Sequence, residues 1–307
     1  MIRVGTCSWA DEALSKHFYP RGVPARERLA YYAEHFSTVE VDSTYYRLPD
    51  ESIVRGWDER TPDGFVMHVK AFGLMTRHPV KADVLPPEIR QNVEPDARGR
   101  VDRPPREVRA QVFRLFREAL EPLRAAGKLG GILMQFPSYI VPKDSSYSYL
   151  EWAREQLGDD VMLVEFRHRD WLADEHRAHT LSLLESLGAV HVVTDSPDAG
   201  KTAVPTVVAA TSPELAYVRL HGRNAETWNK RGGGAQERFD YLYSEEELEE
   251  FVEPLRELDA AAQNVYAFFN NNNRAPGPPG GPEWVSQAAT NAQQLKKLLD
   301  VNGLSVG

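Results

Sequence analysis

Eight short runs of apolar and β-branched residues recur along the chain, with helical or loop-like stretches between them. The runs cover residues 2–6, 38–42, 65–70, 131–135, 161–165, 190–195, 216–220 and 265–270. Continuous apolar runs of this length are typical of strands buried on both faces, as in a parallel sheet. Eight such strands alternating with helices, without a sharp change in composition, predict a single α/β domain over residues 1–307, a (β/α)8 TIM-like barrel.

The intervening stretches support the same architecture. Helical periodicity appears over residues 25–35, 108–126, 148–156, 176–186, 245–258 and 283–299. An open doubly wound sheet is the alternative, but its dinucleotide-binding form needs a glycine-rich turn after the first strand. No such turn follows residues 2–6, so we favour the barrel.

Three connections that follow predicted strands are unusually long. They are the proline-rich insertion 71–107 after strand 3, residues 222–238 after strand 7 and residues 272–282 after strand 8. In a barrel, these βα connections lie over the carboxyl-terminal face, where active sites are found. Long loops of this kind are lids in some proteins and disordered in others.

The amino-acid composition limits the binding partners and the cellular compartment that we expect for the protein. The 307-residue chain carries a net charge of −9, which disfavours long nucleic acids and acidic membranes while leaving room for a local basic pocket. The single Cys7 excludes an internal disulfide and a cysteine-rich metal centre. The amino terminus enters a strand without a signal-peptide core, and no stretch has the length of a membrane span. We expect a cytoplasmic protein; the oligomeric state is not indicated.

Polar residues close most of the predicted strands, and side-chain alternation indicates which of them face the lumen. Side chains that point outward pack against helices and should be apolar. In each strand, we therefore assign the alternating positions that carry polar residues to the barrel lumen. The inward set is Glu40, Asp42, His68, Lys70, Gln135, Glu165, Arg167, Asp195, Arg219 and His221. Tyr45, Arg223 and Asn271 are added as candidate substrate-binding residues near the same strand ends, although parity is ambiguous in the run 270–273.

Several segments along the chain form a recognisable set. They include Val4-Gly-Thr-Cys-Ser-Trp9, Phe36-Ser-Thr-Val-Glu-Val-Asp-Ser-Thr-Tyr-Tyr46, Phe65-Val-Met-His-Val-Lys-Ala71, Gly131-Ile-Leu-Met-Gln-Phe-Pro137, Glu165-Phe-Arg-His168 and Tyr217-Val-Arg-Leu-His-Gly-Arg223. Together these segments resemble the domain of unknown function 72 family, the YecE-like proteins. The resemblance covers nearly the whole chain and implies a TIM-like barrel, but no reaction. Two features depart from the pattern: Asn272 stands where His is usual, and the tract 275–282 looks inserted.

The mixed charges at the strand ends allow two interpretations. They could form a buried salt-bridge network that fills the barrel, or a polar site with paired acid and base groups; we predict the site. Carboxylates and histidines of the types that bind divalent metals are present, but the neighbouring cations disfavour a metal, and no cofactor is predicted. A glycosidase is also disfavoured, because strands 4 and 7 end in Gln135, Arg219 and His221 rather than in paired carboxylates.

An anionic ligand fits this residue balance best. Three candidates could each bind a carboxylate or phosphate through two hydrogen bonds from one guanidinium. They are Arg167, Arg219 and Arg223. Residues 230–234 read Lys-Arg-Gly-Gly-Gly and follow strand 7, where many barrels bind phosphate. With Glu165 as base and His221 or Lys70 as acid, the sequence predicts a hydrolase or lyase acting on a small anionic or phosphorylated substrate.

Lys70 also allows Schiff-base chemistry if its pKa is depressed. We instead expect it to be an ammonium ion-paired with Glu165 or Glu40.

Two other function classes stay open. One is a metal-dependent phosphoesterase or endonuclease-like barrel that binds nucleic acid, in which Trp9, Tyr45, Tyr46 and Trp171 would stack on bases. The other is a ligand-binding barrel without catalysis, which differs from an enzyme in having no turnover to lose on Glu165→Gln substitution.

Overall fold

Eight parallel strands form one sheet that almost closes into a barrel. The computed structural model describes residues 1–230 and 234–307, and the side chains of residues 235 and 236 are not described. The strands are β1 (Ile2–Thr6), β2 (Thr38–Val41), β3 (Val66–Lys70), β4 (Leu129–Gln135), β5 (Met162–Glu165), β6 (Val190–Asp195), β7 (Leu215–Leu220) and β8 (Asn264–Phe269). Their order in the sheet is β1-β8-β7-β6-β5-β4-β3-β2. All eight predicted strands are confirmed to within two residues at either end.

Helices surround the sheet. They are Glu12–His17, Arg28–Ala33, Glu51–Glu59, Pro87–Arg90, Arg106–Ala119, Glu121–Ala125, Asp144–Leu157, Asp174–Ser186, Ala225–Trp228, Ala235–Arg238, Glu245–Glu249, Val252–Ala261 and Gln287–Val301. The predicted helices over 108–126 and 245–258 each occur as two consecutive helices. Within the described part of the chain, no helix has both the length and the apolar character needed to cross a bilayer.

The β6–β7 connection departs from the βα pattern. It contains a 3-10 turn at Gly200–Thr202 but no α-helix, and an irregular segment returns along the outer side of β6. Thr206 Oγ1 donates to the carbonyl of Thr194 at 2.9 Å, and His191 Nε2 lies 3.0 Å from the carbonyl oxygen of Val207. The outer face of β6 therefore meets polar backbone, a difference that bears on Asp195 below.

A tyrosine side chain bridges the seam where the barrel nearly closes. Strands β1 and β2 are joined by a single parallel bridge between Cys7 and Glu40. Below that bridge, the Tyr32 hydroxyl accepts from the Thr6 amide at 3.0 Å and lies 3.2 Å from the Thr38 carbonyl oxygen. These contacts satisfy backbone groups that a continuous ladder would otherwise pair.

The long predicted loops contain short elements of their own. In the insertion 71–107, Val80–Lys81 pairs antiparallel with Arg100–Val101. After β8, Arg274–Pro276 pairs antiparallel with Trp284–Ser286. Both connections lie on the carboxyl-terminal side of their strands, as predicted.

Aromatic side chains fill the lower part of the lumen. The His68 ring centroid lies 4.9 Å from that of Tyr217, 4.4 Å from Tyr266 and 5.4 Å from Phe268. We call these four residues the aromatic layer. Gly130 makes room for it, because a Cβ there would stand 2.5 Å from His68 Cε1. The barrel centre is thus packed, as expected for this fold.

Gly130→Ala should destabilise the protein by about 1–3 kcal/mol, because the added Cβ would stand 2.5 Å from both His68 Cε1 and Val66 Cγ1. The cost should be smaller in a His68→Ala background, where the clashing ring is gone. Urea unfolding of the single and double variants measures both values. Equal cost in the two backgrounds would contradict this account of the aromatic layer.

Candidate functional site

A cavity of about 660 Å³ opens at the carboxyl ends of the strands. Its floor consists of residues that end or directly follow strands: Asp42, Lys70, Gln135, Arg167, Asn270 and Asn272. Its walls come from the βα connections and include Asp11, Tyr45, Tyr46, His78, Trp228, Arg238 and Phe239. The cavity lies on the face where the fold places active sites.

A buried charge layer separates this floor from the aromatic layer, and Arg219 is at its centre. One guanidinium nitrogen, Nη2, donates to Glu40 Oε1 at 2.7 Å, and the other, Nη1, donates to Glu165 Oε2. Tyr217 donates its hydroxyl to the second oxygen of Glu40 at 2.9 Å. One arginine from β7 thus bridges carboxylates from β2 and β5 across the lumen. With Arg219 1% exposed and both carboxylates 0% exposed, water does not compete for these bonds.

The Glu165 carboxylate has partners on both oxygens. In addition to Arg219, its Oε1 accepts from Gln135 Nε2 at 2.9 Å and lies 3.1 Å from His221 Nε2. Arg167 Nε is 2.5 Å from the same oxygen. Although burial acts to raise the pKa of Glu165, Arg167 and Arg219 together hold it well below its ordinary value. The carboxylate is therefore ionised and engaged.

His221 is neutral within this network. Burial, with Arg167 adding to it, lowers its pKa from 6.5 to about 3. Asn270 Nδ2 lies 2.9 Å from Nδ1, while Glu165 Oε1 at 3.1 Å and Arg167 Nη2 at 3.3 Å both lie beside Nε2. The Asn272 amide lies 3.4 Å from Asn270 Oδ1 and favours that orientation of Asn270.

Lys70 differs from the sequence-based expectation. No carboxylate among the described residues lies within 4.0 Å of its ammonium nitrogen, so the predicted ion pair with Glu165 or Glu40 is wrong. Both carboxylates bind Arg219 instead. The Lys70 nitrogen instead lies 4.9 Å from the Tyr45 ring centroid. Burial, followed by the positive charge of Arg219, lowers the pKa of Lys70.

Two carboxyl groups that face the cavity hold their protons more tightly than usual. Burial raises the pKa of Asp42 from 3.8 to about 6, with Glu40 adding to the effect and Lys70 opposing it. Burial also raises the pKa of Asp11 to about 6. Asp11 Oδ1 caps the helix Glu12–His17 by accepting from the Leu14 amide at 2.9 Å.

Arg167 presents positive charge to the cavity. Its side chain is 15% exposed, and its guanidinium carbon lies 5.4 Å from the Trp228 ring centroid. Arg238 and Lys230 also line the cavity, with Lys230 ion-paired to Glu237. Residues 231–233 of the predicted phosphate-binding run 230–234 lie outside the described residues.

The predicted site residues fall into three groups. Asp42, Tyr45, Lys70, Gln135 and Arg167 line the cavity. Glu40, His68, Glu165, Arg219 and His221 face the lumen as predicted but are buried beneath the floor. Their catalytic and binding roles stay predictions, and Arg219 in particular is bound on both sides by protein carboxylates.

The third group lies away from the cavity, and its placement corrects the parity assignment. Asp195 points outward from β6, where it accepts from Arg223 at 3.0 Å and from the Tyr243 hydroxyl at 2.7 Å. Arg223 also lies 2.9 Å from Glu250 on the outer shell. The assumption that polar residues face the lumen is wrong for Asp195 on β6. Polar groups, and not only an apolar helix, cover the outer face of this strand.

Asn271 is also misplaced by the prediction. Its Nδ2 donates to the Tyr241 carbonyl and to Asn291 Oδ1, both at 2.8 Å, so it ties the end of β8 to the helix Gln287–Val301. Its neighbours Asn270 and Asn272 line the cavity instead. The ambiguous parity of this run is thereby resolved.

Two aromatic residues expected at the mouth are packed elsewhere. Trp171 is fully buried, stacked on Phe166 with ring centroids 4.1 Å apart. Trp9 packs edge-on against Trp57 at 5.9 Å. Tyr45 and Tyr46 do line the cavity.

Several lining residues were missed by sequence reasoning. Asp11 and His78 lie in connections with no parity to follow, and Trp228 and Phe239 come from the long β7–β8 connection. A signal existed only for Asn270, in the asparagine run that ends β8. No group of three or more metal-binding side chains is found within residues 1–230 and 234–307.

Glu165→Gln should destabilise the protein by about 3–5 kcal/mol, because it leaves buried Arg219 without full compensation. Glu118→Gln removes an exposed helix ion pair with Arg114 and should change stability little. Urea unfolding compares them. A Glu165→Gln variant as stable as the Glu118→Gln control would contradict the charge layer described above.

Asp42 should make stability depend on pH with a defined sign. Its pKa of about 6 lies above the ordinary 3.8, so the stability that its proton supplies is present below pH 3.8 and lost as pH rises through 6. Asp42→Asn mimics the protonated form, and its stability relative to wild type should rise by about 2 kcal/mol between pH 4 and pH 7. Urea unfolding at both pH values, with exposed Asp63→Asn as control, measures the change. A constant difference would show that Asp42 is not perturbed.

Comparison with known proteins places the chain in a family. The model of the family described as "Protein of unknown function DUF72" matches residues 3–304. UPF0759 protein YunF of Bacillus subtilis is 32% identical over 304 residues, covering 98% of this chain and 95% of YunF.

Solved structures agree with this placement. A DUF72 family protein from Thermotoga maritima is 31% identical with a TM-score of 0.75, covering 98% of this chain and 99% of that one. Another, from Enterococcus faecalis, is 25% identical with a TM-score of 0.76, covering 98% and 96%. The nearly closed eight-stranded parallel sheet, the family model and these relatives agree: the chain belongs to the DUF72 family.

Proposed function

We propose that this protein is an enzyme, a hydrolase or lyase that acts on a small anionic or phosphorylated substrate in the cavity at the barrel mouth. One observation carries the proposal. The Lys70 amine and the Arg167 guanidinium line the same cavity, while the carboxylates of Glu40 and Glu165 are bound to Arg219. An amine and an anion-binding group would therefore face the same ligand.

Arg167 is the group that would bind the anion. Glu165 contacts its Nε, and the side chain reaches the cavity beside Trp228. The contact between Glu165 and Nε restricts the orientation of the planar guanidinium. A guanidinium with a fixed orientation is suited to binding a carboxylate or phosphate through paired hydrogen bonds. Arg238 on the cavity wall adds positive charge that favours the same class of ligand.

Lys70 and Asp42 would carry the proton transfers. Both line the cavity, and their pKa values are displaced toward neutrality, Lys70 downward and Asp42 upward to about 6. Groups whose pKa lies near the working pH are the most effective acids and bases. Glu165 and His221, buried beneath the floor, would act as positioning residues for Arg167 rather than touch the substrate.

Inorganic phosphate is the simplest probe of the anion site. Arg167→Gln should weaken phosphate binding about 10- to 100-fold, the loss expected for a charge-assisted hydrogen bond. Arg114→Gln, on an exposed helix surface, should bind as the wild type does. Isothermal titration calorimetry measures both affinities, and circular dichroism verifies the folds.

Turnover decides between an enzyme and a binder. A panel of small phosphate esters and oxo acids, followed by NMR, should reveal a substrate whose conversion falls with Lys70→Met. Phosphate binding that is absent or independent of Arg167 would overturn the anion site. Binding without conversion of any panel member would favour a non-catalytic ligand-binding barrel.

A further inference from the structure

We propose that the substrate is an anionic aldehyde or ketone and that Lys70 forms an imine with its carbonyl carbon, with Asp42 donating the proton that releases water. This inference rests on the proposed function and gives it a substrate class. It follows from the position of one amine relative to its charged neighbours, because imine formation requires a lysine that can be neutral and can reach the carbonyl carbon.

The surroundings of Lys70 favour the neutral amine. Lys70 ends β3 and lines the cavity. Two carboxylates of the lumen, Glu40 and Glu165, are both bound to Arg219. The Tyr45 ring, 4.9 Å away, favours the ammonium. Burial and the charge of Arg219 lower the pKa of Lys70, although Glu40, Asp42 and Glu165 act to raise it.

Asp42 is placed to assist. Strands β2 and β3 are parallel neighbours, with Val41 opposite Val69, so the next residues along them, Asp42 and Lys70, leave the sheet side by side. Both line the cavity, and no contact within 4.0 Å between Lys70 and an acidic side chain occurs among the described residues. A carbonyl oxygen could thus lie between an amine and a carboxylic acid.

The step balances without any further reactant. The neutral amine of Lys70 attacks the carbonyl carbon, forming the carbon–nitrogen bond, while the carbonyl oxygen takes up the proton that the nitrogen loses. The Asp42 proton then passes to the hydroxyl group, the carbon–oxygen bond breaks, and water leaves. The protonated imine can accept the electron pair of a bond at the adjacent carbon, which is the chemistry that a lyase needs.

Arg167 accounts for the requirement that the carbonyl compound be anionic. It lines the same cavity as Lys70, so an acidic group held by its guanidinium would place a carbonyl elsewhere in the molecule near the amine. A 2-oxo acid or a phosphorylated ketone has both features in one small molecule.

Reductive trapping tests the proposal with the intact protein. The protein is incubated with pyruvate or with dihydroxyacetone phosphate, treated with borohydride, and mapped by peptide mass spectrometry. We expect one reduced adduct per chain, on Lys70. It should be absent from Lys70→Arg, which cannot form an imine, and retained in Lys81→Met, which removes an exposed lysine.

The rate of trapping tests the role of Asp42. Asp42→Asn should slow adduct formation by about 100-fold or more, the contribution of a positioned general acid, while the site of the adduct stays on Lys70. Trapping at an unchanged rate would overturn that role.

The outcomes separate this inference from the proposed function. Adducts scattered over exposed lysines, or conversion of an anionic substrate that persists in Lys70→Arg, would overturn the imine while leaving an anion-binding enzyme. Failure of both probes to bind or to be trapped, together with Arg167-independent phosphate binding, would overturn both.

Discussion

The bridge that Arg219 makes between Glu40 and Glu165 is the interaction on which the site depends. It joins buried side chains from β7, β2 and β5 across the lumen, where an uncompensated charge would cost several kcal/mol. It also determines which charged groups remain available to a ligand in the cavity. A single guanidinium binds both deep carboxylates, and among the described residues neither lies within 4.0 Å of the Lys70 nitrogen.

The lumen is consequently built in three layers. Aromatic rings around His68 close the bottom, the charge layer around Arg219 lies above them, and the cavity floor lies above that. Residues of the cavity floor contact the charge layer: Gln135 and Arg167 contact Glu165, and Asn270 contacts His221. The first interpretation of the strand-end charges, a salt-bridge network, describes the charge layer. The second, a polar site with paired acid and base groups, stays a proposal for the cavity above it.

The fold was largely predictable from sequence, because periodicity reports on burial and every strand is buried on both faces. The exception is instructive. On β6, Asp195 was assigned inward because outer faces were assumed to be apolar, but this strand is covered by a segment with accessible carbonyl groups and by Arg223. A sequence pattern cannot reveal which outer positions have such partners.

The site was predictable only in part, for a related reason. Side-chain alternation correctly predicted that Lys70, Glu165 and Arg219 face the lumen. It does not predict how deeply a side chain is buried or which ion pair it forms. Whether Glu165 pairs with Lys70 or with Arg219 depends on distances across the barrel. The wall residues Asp11, His78 and Trp228 come from connections, where no period indicates the direction of a side chain.

The central claim is that Glu40 and Glu165 bind Arg219 rather than Lys70, and that buried Lys70 is therefore stabilised as the neutral amine. The most direct measurement is an NMR titration of the Lys70 side chain in isotopically labelled protein, with its resonance assigned by comparison with Lys70→Met. We expect a pKa below the ordinary 10.5. A value at or above 10.5 would mean that an anionic partner stabilises the ammonium, and would contradict the account.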